Sequence, residues 1–327
     1  MDEQNLNFES RIDFSELQAS VEKIKSEIHK IVIGQDDLID FLILALLSDG
    51  HVLIEGVPGI AKTLTARLLA KTVDTDFSRI QFTPDLMPSD VLGTSVLNMK
   101  TSDFEFKPGP IFSNMILIDE INRAPAKTQA ALFEVMEERQ ITIDGNTYPM
   151  ENPFMVLSTQ NPIEHEGTYA LPEAQLDRFL FKITISYPSQ DEEIEIIRTH
   201  HERKGQKMLP LVNKVLQEKQ LSDFKSKIQE VIVEEKIIKY IAEITATTRT
   251  HPHLYLGASP RASVAILNTS KANAAVNGRD FVLPEDVKKV LHPVLRHRLI
   301  VTPEREMEGM TTDKVINMII QNIEIPR

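Results

Sequence analysis

Residues 54–63 read Ile-Glu-Gly-Val-Pro-Gly-Ile-Ala-Lys-Thr, a glycine-rich loop that follows the apolar run 51–54 and ends in Lys62-Thr63. A strict phosphate-binding loop has the pattern G-x-x-x-x-G-K-[ST], and this chain has Ala61 in place of the second fixed glycine. Glycines in such a loop let backbone N–H groups converge on an anion at the start of a helix, where the helix dipole adds positive charge. The stretch therefore predicts a nucleotide-phosphate site between a strand and a helix.

The predicted loop would hold a nucleotide through its last residues and the helix that follows. Lys62 would reach the β- and γ-phosphates, and the hydroxyl of Thr63 would reach Mg²⁺. We expect the helix over residues 62–72, and since Ala61 lies where the chain enters it, a side chain with a Cβ should be tolerated there. The alternative is a glycine- and proline-rich turn that precedes Lys-Thr by chance. The predicted nucleotide-binding residues of the loop are Gly56, Val57, Pro58, Gly59, Ile60, Ala61, Lys62, Thr63 and Leu64.

Composition limits the remaining classes of protein. The chain has 327 residues, 48 acidic and 36 basic side chains, a net charge of −12 and no cysteine. Such a surface has no general attraction to nucleic acid or anionic lipid, so neither a nucleic-acid partner nor membrane insertion is expected. The absence of cysteine excludes disulfides, thiolate metal sites and a thiol nucleophile. The acidic N-terminus does not read as a signal peptide, and the longest apolar run, 41–47, is too short to span a bilayer, which predicts a cytoplasmic protein.

Short apolar runs alternate with helical patterns in the first part of the chain. Residues 14–31 and 35–47 have helical spacing, and the apolar runs that read as strands are 51–55, 78–82, 114–118, 154–159 and 179–185. Because most of these runs are apolar throughout, they fit strands of a parallel sheet that helices cover on both faces. Residues 140–148 instead alternate in polarity around Asp144-Gly145, which predicts a β-hairpin.

The chemistry of the chain changes near residue 188, after which we expect helices only. The predicted helices are 191–201, 211–218, 222–231, 234–247, 260–277 and 284–295. The predicted fold is therefore α/β, with a P-loop three-layer αβα sandwich around a parallel sheet, followed by a smaller all-α helical domain. The expected boundaries are a flexible tail at 1–15, a nucleotide-binding domain at 16–187 and the helical domain at 188–327.

A second motif carries the two carboxylates that ATP hydrolysis requires. The apolar strand at 114–118 leads into Asp119 and Glu120. Asp119, at the strand tip, could hold Mg²⁺ directly or through water, and Glu120 could polarise the attacking water as a general base. The alternative is an acidic turn after a core strand. Because the pair occurs together with the Lys-Thr loop on a separate strand, the two motifs predict an ATPase.

Three further polar residues are candidates for phosphate recognition. Asn161 follows the strand at 154–159 and could hydrogen-bond the γ-phosphate or the attacking water, although an Asn-Pro turn is the alternative. Arg178 follows a short predicted helix and by itself would be an ordinary solvated or ion-paired side chain. Arg261 lies near the N-terminus of the helix at 260–277, where the helix dipole disfavours a cation, so it needs an anionic partner such as a phosphate.

Five phrases together resemble the MoxR-type AAA+ ATPases, and the resemblance covers nearly all of the chain beyond the N-terminal tail. They are GVPGIAKT (56–63), IQFTPDLMPSDVLG (80–93), DEINRAP (119–125), PEAQLDRF (172–179) and GASPRA (257–262). Ala61, which departs from the general loop pattern, is itself typical of that family. The resemblance implies an AAA+ nucleotide-binding domain followed by a helical lid domain.

The resemblance also implies a role for each matching residue around ATP or ADP. Lys62, Thr63, Asp119 and Glu120 match the two Walker motifs that hold Mg²⁺ and nucleotide, and Asn161 matches sensor one. These positions are the expected catalytic and metal-binding residues of one subunit.

Two arginines match elements that complete such a site. Arg178 matches the arginine finger, which acts on the ATP of the neighbouring subunit, and Arg261 matches sensor two, which belongs to the lid and closes over the γ-phosphate. An arginine finger in trans requires an oligomer, and the resemblance implies a hexameric ring. Arg123 could also face the subunit boundary. The residues that would line the adenine pocket are Ile33, Gly34 and Gln35.

The resemblance further implies a protein client. Residues 93–112 resemble the insert in the second helix, and residues 140–148 resemble the hairpin before sensor one; related ATPases place both near a central pore. Candidate client contacts are Lys100, Phe104, Phe106 and Lys107, each of which could instead be an ordinary loop residue. Gln81 and Thr83 could tie Glu120 to the client-binding state.

The expected function is remodelling or activation of a protein partner by a Mg²⁺·ATP-hydrolysing AAA+ protein, with ATP or ADP and Mg²⁺ as cofactors. By resemblance, the client would carry a von Willebrand factor A-type domain. The alternatives are the ATPase subunit of a metal chelatase-like complex and an ATP-gated binding module with little turnover. A DNA-acting motor is disfavoured by the net charge of −12.

Overall fold

The protein is described by a computed structural model that covers residues 12–57, 59–100, 102–161 and 169–326. Pro58 of the predicted phosphate loop and most of the predicted tail at 1–15 therefore lie outside the described residues. Phe14, near the end of that tail, is buried, and the first helix begins at Ser15. The last residues assigned to the tail are thus part of the fold.

The elements follow one another from a pair of helices into an α/β region and then a mostly helical region. The strands are β1 (Val52–Gly56), β2 (Phe77–Gln81), β3 (Gly93–Asn98), β4 (Asp103–Pro108), β5 (Met115–Asp119), β6 (Gln140–Ile143), β7 (Asn146–Pro149), β8 (Met155–Gln160), β9 (Phe181–Ile185), β10 (Leu254–Leu256) and β11 (Ile300–Val301). The helices are α1 (Ser15–His29), α2 (Asp36–Leu47), α3 (Lys62–Thr72), α4 (Pro88–Leu92), α5 (Ala126–Glu138), α6 (Glu173–Leu176), α7 (Gln190–Arg203), α8 (Glu218–Gln229), α9 (Glu235–Thr250), α10 (Pro260–Val276), α11 (Pro284–Leu295), α12 (Pro303–Met307) and α13 (Thr312–Asn322).

A five-stranded sheet in the order β2-β5-β8-β1-β9 is the centre of the α/β region, and its paired strands are all parallel. Successive side chains of a strand point to opposite faces of a sheet. Val52 and Ile54 accordingly join one apolar core, while Leu53 between them joins a second. Helices cover both faces, so the predicted three-layer αβα sandwich is confirmed.

The two cores are of different extent. The first contains α1, α2 and α3 and continues without interruption into helices α8 to α11 and α13. The second lies on the other face of the sheet and is built mainly by α5 and the residues around α4. The predicted domain boundary at 187/188 therefore crosses a shared core, because α1 and α2 also pack against α10.

The C-terminal region departs from the sequence prediction in two places. The expectation of helices only is wrong in detail, because β10 and β11 form a short antiparallel pair. The helix predicted over 211–218 is also wrong. Its backbone donors are taken elsewhere: Asn213 N donates to Glu27 Oε2 at 2.9 Å, and Val215 N and Leu216 N donate to Thr72 O at 2.7 and 3.0 Å. These contacts hold the segment extended along α1 and α3.

Two β-hairpins extend from the α/β region and contact each other. Residues 93–112, expected as an insert, contain the β3–β4 hairpin, and the hairpin predicted at 140–148 is confirmed as β6–β7. Asp144 and Gly145 form its turn with φ of 51° and 80°, as a two-residue type I′ connection requires. The rings of Phe106 and Tyr148 stack across the two hairpins with centroids 4.4 Å apart.

Within the described ranges, no helix is both long and apolar enough to cross a bilayer.

Candidate nucleotide-binding site

The residues predicted to bind nucleotide meet at one edge of the sheet. β1 ends at Gly56, β5 at Asp119 and β8 at Gln160, and β8 lies between the other two strands. Because the strands are parallel, their carboxyl ends share an edge, which is where ligands bind in open α/β sheets. We call it the carboxyl edge. It brings the phosphate loop, Asp119-Glu120 and Asn161 together.

The backbone of the loop explains its glycines. A Cβ on Gly56 would approach Ile60 Cδ1 to 2.9 Å and Ile185 O to 3.0 Å, so the end of β1 has no room for a side chain. Gly59 has φ +87°, in the region that favours glycine. Ile60 is buried and belongs to the larger core, against which Val57 and Leu64 pack from partly buried positions.

Ala61 is the N-cap of α3, with φ 61° and ψ 14°. The expectation that a Cβ is tolerated there because the chain is already entering the helix is therefore wrong in its reason: the residue is left-handed, and α3 begins only at Lys62. A left-handed alanine costs about 1 kcal/mol relative to glycine. The left-handed backbone thus explains why the general loop pattern has glycine at this position, and in this chain Ala61 adopts that conformation with its strain.

The Lys62 ammonium lies across the loop, with Nζ donating to Gly56 O at 2.6 Å. Burial lowers the pKa of Lys62, while the nearby carboxylates of Asp119, Glu120 and Glu55 act in the opposite direction. Thr63 follows in the first turn of α3 and is half-buried. An anion at the helix start would thus meet the helix dipole and a partly desolvated cation.

Asp119 is nearly enclosed, with 8% of its surface exposed. Its Oδ1 accepts a hydrogen bond from Thr159 Oγ1 at 3.1 Å, and its Oδ2 accepts one from Arg79 Nε at 2.6 Å. Thr159 Oγ1 also accepts from Glu120 N at 3.0 Å, so β8 fixes both acidic residues. Arg79 and Thr159 were not among the predicted site residues. Only Thr159 could have been found from the sequence, because it lies at the polar end of an otherwise apolar strand.

Glu120 has a left-handed backbone, with φ 59°. Its Oε2 accepts a hydrogen bond from Gln81 Nε2 at 2.8 Å and lies 3.1 Å from Arg123 Nε. The structure thus brings Gln81 to Glu120, the residue to which the sequence analysis connected it. Arg123, considered for the subunit boundary, contacts the same carboxylate.

The donor set at the carboxyl edge fits a magnesium ion. Mg²⁺ in nucleotide sites binds through one or two carboxylates or hydroxyls together with substrate phosphates and water. Asp119 supplies a carboxylate and Thr63 a hydroxyl. No cluster of three or more potential ligands among His, Cys, Asp and Glu occurs in the described part of the chain. The arrangement therefore fits a metal shared with a phosphate better than an all-protein metal cage.

The turn predicted to line an adenine pocket lies beside β9 and α7. Gly34 and Gln35 are left-handed, with φ 66° and 63°, and a Cβ on Gly34 would come within 2.2 Å of Glu192 Oε1. A cavity of about 320 Å³ lies at the end of β9 and is lined by Gln35 and Tyr187, among others. Ile33 is half-buried and does not line it. The cavity adjoins the phosphate loop because Ile185, at its wall, pairs with Gly56.

The two predicted arginines lie together against the C-terminal end of α5 and not beside Lys62. Arg178 Nη1 donates to Phe133 O at 2.6 Å and lies 3.6 Å from Glu137 Oε2. Arg261, at the start of α10, donates from Nη2 to Glu137 Oε1 at 2.7 Å. The anionic partner expected for Arg261 is thus Glu137. We call Arg178 and Arg261 the arginine pair.

The arginine pair lies at the other end of the strands, which we call the amino edge. His51, just before β1, contacts Met136 O through Nε2 at 3.1 Å, and Leu180 N, just before β9, donates to His51 O at 2.8 Å. A five-residue strand such as β1 separates the two edges by about 13 Å. The expectation that Arg261 closes over the phosphate beside Lys62 of its own subunit is therefore not met.

Comparison with known proteins agrees with this architecture. Residues 51–181 match the model of the ATPase family associated with various cellular activities (AAA), and residues 246–319 match that of the AAA lid domain. The first range contains β1, the phosphate loop and both acidic residues. The second contains Arg261 and most of α10 to α13.

Individual relatives match over most of their length. The chain is 44% identical to chaperone MoxR1 of Mycobacterium tuberculosis over 317 residues, which are 94% of this chain and 83% of that protein. It is 43% identical to protein YeaC of Bacillus subtilis, over 93% of this chain and 94% of that protein. A crystal structure from Cytophaga hutchinsonii, described provisionally as an ATPase, superposes with a TM-score of 0.88 at 43% identity and covers 95% of this chain and 96% of its own. This chain is a nucleotide-binding ATPase that belongs to the MoxR family of AAA+ proteins.

Proposed function

We propose that this ATPase hydrolyses Mg²⁺-bound ATP at a site shared by two subunits and uses the reaction to remodel or activate a protein client. The observation that carries the proposal is the division of the catalytic residues between the two edges of the sheet. Lys62, Asp119 and Glu120 gather at the carboxyl edge, while the arginine pair lies at the amino edge. A complete site then needs two copies of the chain.

Residues at the carboxyl edge activate the water that attacks the γ-phosphate and stabilise the charge that develops. Glu120 accepts a proton from the attacking water as the oxygen bonds to phosphorus and the bond to the β-phosphate oxygen breaks. Lys62 offsets charge on the phosphate oxygens, and Asn161, one residue beyond β8, hydrogen-bonds the γ-phosphate or the water. Asp119 and Thr63 would hold Mg²⁺, which would supply further positive charge at the phosphate oxygens.

Glu120 must change partners before it can act as a base. Gln81 and Arg123 both engage Oε2. Gln81 ends β2, and the chain continues from it through α4 into the β3–β4 hairpin. This connection supports coupling between the hairpin and the carboxylate: a client that displaces the hairpin draws Gln81 away and removes one of the two partners of Glu120 Oε2.

The amino edge serves the neighbouring subunit. The side chains of Arg178 and Arg261 are 30% and 46% exposed, so both guanidinium groups are accessible to a second molecule. The neighbour's ATP approaches the arginine pair, which stabilises negative charge on the transferred phosphate. A ring of six subunits repeats this contact and closes it.

The two hairpins face the client. Met99 and Phe104 are 84% and 74% exposed on the β3–β4 hairpin, and Lys100 and Lys107 are exposed beside them. Phe106 is a weaker candidate because its ring packs on Tyr148. The chaperone name of the Mycobacterium tuberculosis relative supports a protein client, for which we propose a von Willebrand factor A-type domain. A cytoplasmic location suits that role.

The test of the function is Glu120→Gln, which keeps the size of the side chain and removes the base. We expect the variant to bind ATP with wild-type affinity and to lose nearly all steady-state phosphate release. The same trapped variant, loaded with ATP, should retain a client bearing the proposed domain in a pull-down. Wild-type turnover by the variant would overturn the role of Glu120, and ATP binding without turnover by the unmodified protein would favour a binding module.

A further inference from the structure

Glu137 is the point at which the two arginines of the amino edge meet. Arg261 contacts one of its carboxylate oxygens at 2.7 Å, and Arg178 lies 3.6 Å from the other. We propose that Glu137 is a positioning residue that holds Arg178 and Arg261 as one preassembled unit for the ATP of the neighbouring subunit. This inference rests on the proposed function and assigns a role to a residue that no motif of the sequence marks.

The geometry of α5 makes Glu137 suited to this role. Phe133 and Glu137 are one helical turn apart and therefore lie on the same face of α5. Arg178 Nη1 donates to Phe133 O at 2.6 Å while it lies beside Glu137, so two successive turns fix its guanidinium. Arg261 comes from α10, far away in the sequence, and reaches the same face through Glu137. Glu137 thus links the α/β region to the lid at this surface.

The charges of the amino edge explain why a carboxylate is needed between the arginines. Two guanidinium groups on one surface repel each other, and a carboxylate between them offsets the repulsion. Asp177 continues the row: its Oδ2 lies 3.9 Å from Arg261 Nη1, and its Oδ1 accepts from the buried Arg298 at 2.7 Å. Three arginines and two carboxylates leave one positive charge, which attracts a phosphate.

The contacts of Glu137 leave the arginines able to bind a phosphate. Glu137 engages Nη1 of Arg178 and Nη2 of Arg261, while a guanidinium has five N–H donors. Each arginine can keep its contact with the carboxylate and direct other donors at a phosphate oxygen. The side chain of Glu137 is itself 38% exposed, so a phosphate can approach without unfolding α5. Misplacement of a catalytic group by about 1 Å can lower a rate by about 100-fold.

The first experiment compares Glu137→Ala and Glu137→Gln with Glu138→Ala, an exposed acidic neighbour on the same helix. We expect Glu137→Ala to lower kcat by about tenfold or more, with the KM for ATP within about twofold of the wild type, because the nucleotide is held by another subunit. Glu137→Gln should lose less, about threefold, because its amide oxygen still accepts from one arginine without the charge. Glu138→Ala should keep wild-type turnover.

The second experiment separates positioning of the arginines from a structural role. Glu137→Ala subunits have an intact phosphate loop, and Glu120→Gln subunits have an intact arginine pair. Mixing them should restore turnover above the sum of the two variants, since the Glu120→Gln subunit completes the site of its neighbour. Thermal unfolding of each variant, with and without ATP, establishes that both are folded.

Three results would overturn the inference. Wild-type kcat in Glu137→Ala would show that the carboxylate is not needed, and a raised kcat would show that it restrains the arginines instead. The third result is that Glu120→Gln subunits restore turnover when mixed with Arg178→Ala subunits but not when mixed with Glu137→Ala subunits. Glu137 would then act within its own subunit. If Arg178→Ala is not rescued either, the shared site of the proposed function fails with it.

Discussion

The carboxyl edge and the amino edge of one sheet carry the two sets of residues that we propose for the ATPase site, and they differ in burial. At the carboxyl edge, Asp119 is 8% exposed and Lys62 is partly desolvated. At the amino edge, Arg178 and Arg261 are 30% and 46% exposed. Electrostatic interactions are stronger where water is excluded. The carboxyl edge is therefore suited to enclose a ligand, and the amino edge is suited to contact the surface of another molecule.

At both edges, charged groups contact partners within the same subunit. Lys62 donates to Gly56 O, Asp119 accepts from Arg79, and the arginine pair meets Glu137. The first two contacts involve groups that nucleotide or metal would engage, whereas each arginine of the pair has further N–H donors for a phosphate. We therefore infer that the isolated subunit carries two incomplete sites: ligands would replace the internal partners at the carboxyl edge, whereas Glu137 would stay in contact with the arginine pair.

The largest expected effect tests whether the amino edge acts on a neighbour. Arg178→Ala should lower kcat about 1,000-fold, because an arginine that stabilises a transferred phosphate accounts for about that much of the rate. ATP binding should be unchanged, since the carboxyl edge of the same subunit is intact. The measurements are steady-state phosphate release and equilibrium binding of a fluorescent nucleotide.

Arg198→Ala, at an exposed position on α7, is the matched control for Arg178→Ala and should retain full turnover. The specific activity of the wild type should also rise with protein concentration. Concentration-independent turnover by a demonstrated monomer would contradict the division of the site between subunits.

The second prediction concerns the stability of the amino edge. His51 is buried; its Nε2 contacts Met136 O, and its Nδ1 accepts from Val156 N at 3.0 Å. Burial lowers the pKa of His51 from 6.5 to about 4. Between these values the unfolded chain binds the proton and the folded chain does not, so stability present above pH 6.5 is lost as the pH falls toward 4. The loss amounts to about 3 kcal/mol.

Denaturant unfolding at several pH values measures this loss, and His51→Gln should flatten the curve in the same range. His297 adds a loss of the same direction, because burial also lowers its pKa well below 6.5. His200→Gln, at an exposed position of α7, is the control substitution. An equally steep curve for His51→Gln and the wild type would exclude His51 as its source.

The third prediction concerns competition at the carboxyl edge. Arg79 Nε donates to Oδ2 of Asp119, the carboxylate that we propose holds Mg²⁺. Arg79→Ala should lower the Mg²⁺ concentration for half-maximal turnover about two- to threefold, a modest change because the arginine is half-exposed and screened by solvent. Titration of turnover with Mg²⁺ at saturating ATP checks it.

Arg67→Ala, at an exposed position on α3, serves as the control for Arg79→Ala. A higher Mg²⁺ requirement in Arg79→Ala would mean that the arginine orients Asp119 for the metal instead of competing with it.

The smallest expected effect is at the phosphate loop. Ala61→Gly should raise the free energy of unfolding by up to about 1 kcal/mol, because glycine adopts φ near +60° without strain. Ala242→Gly, exposed within α9, should instead lower it by about 1 kcal/mol, because glycine in a helix interior loses more backbone entropy. A loss of stability in Ala61→Gly would show that the alanine methyl contributes packing that outweighs its strain.

Local patterns predicted most of the carboxyl edge. The helix expected at 62–72 is α3, and the acidic pair meets the phosphate loop because parallel strands end at a common edge. The contacts of Arg79 with Asp119 and of Glu137 with Arg261 join residues 40 and 124 positions apart, and no spacing in the sequence marks them. The helix expected at 211–218 fails for a related reason, since its backbone bonds to distant elements.

Helix α5 connects the features that this molecule keeps apart. It starts at Ala126, shortly after Glu120, carries Glu137 in its last turn and passes through Arg139 into the β6–β7 hairpin, which stacks on β3–β4. At 13 residues it is a rod about 20 Å long. If such a helix tilts as a rigid body, a small displacement at one end also displaces the other end. In the proposed assembly, α5 would couple the phosphate of the adjacent subunit, which meets the arginine pair at one end of the helix, to the two hairpins.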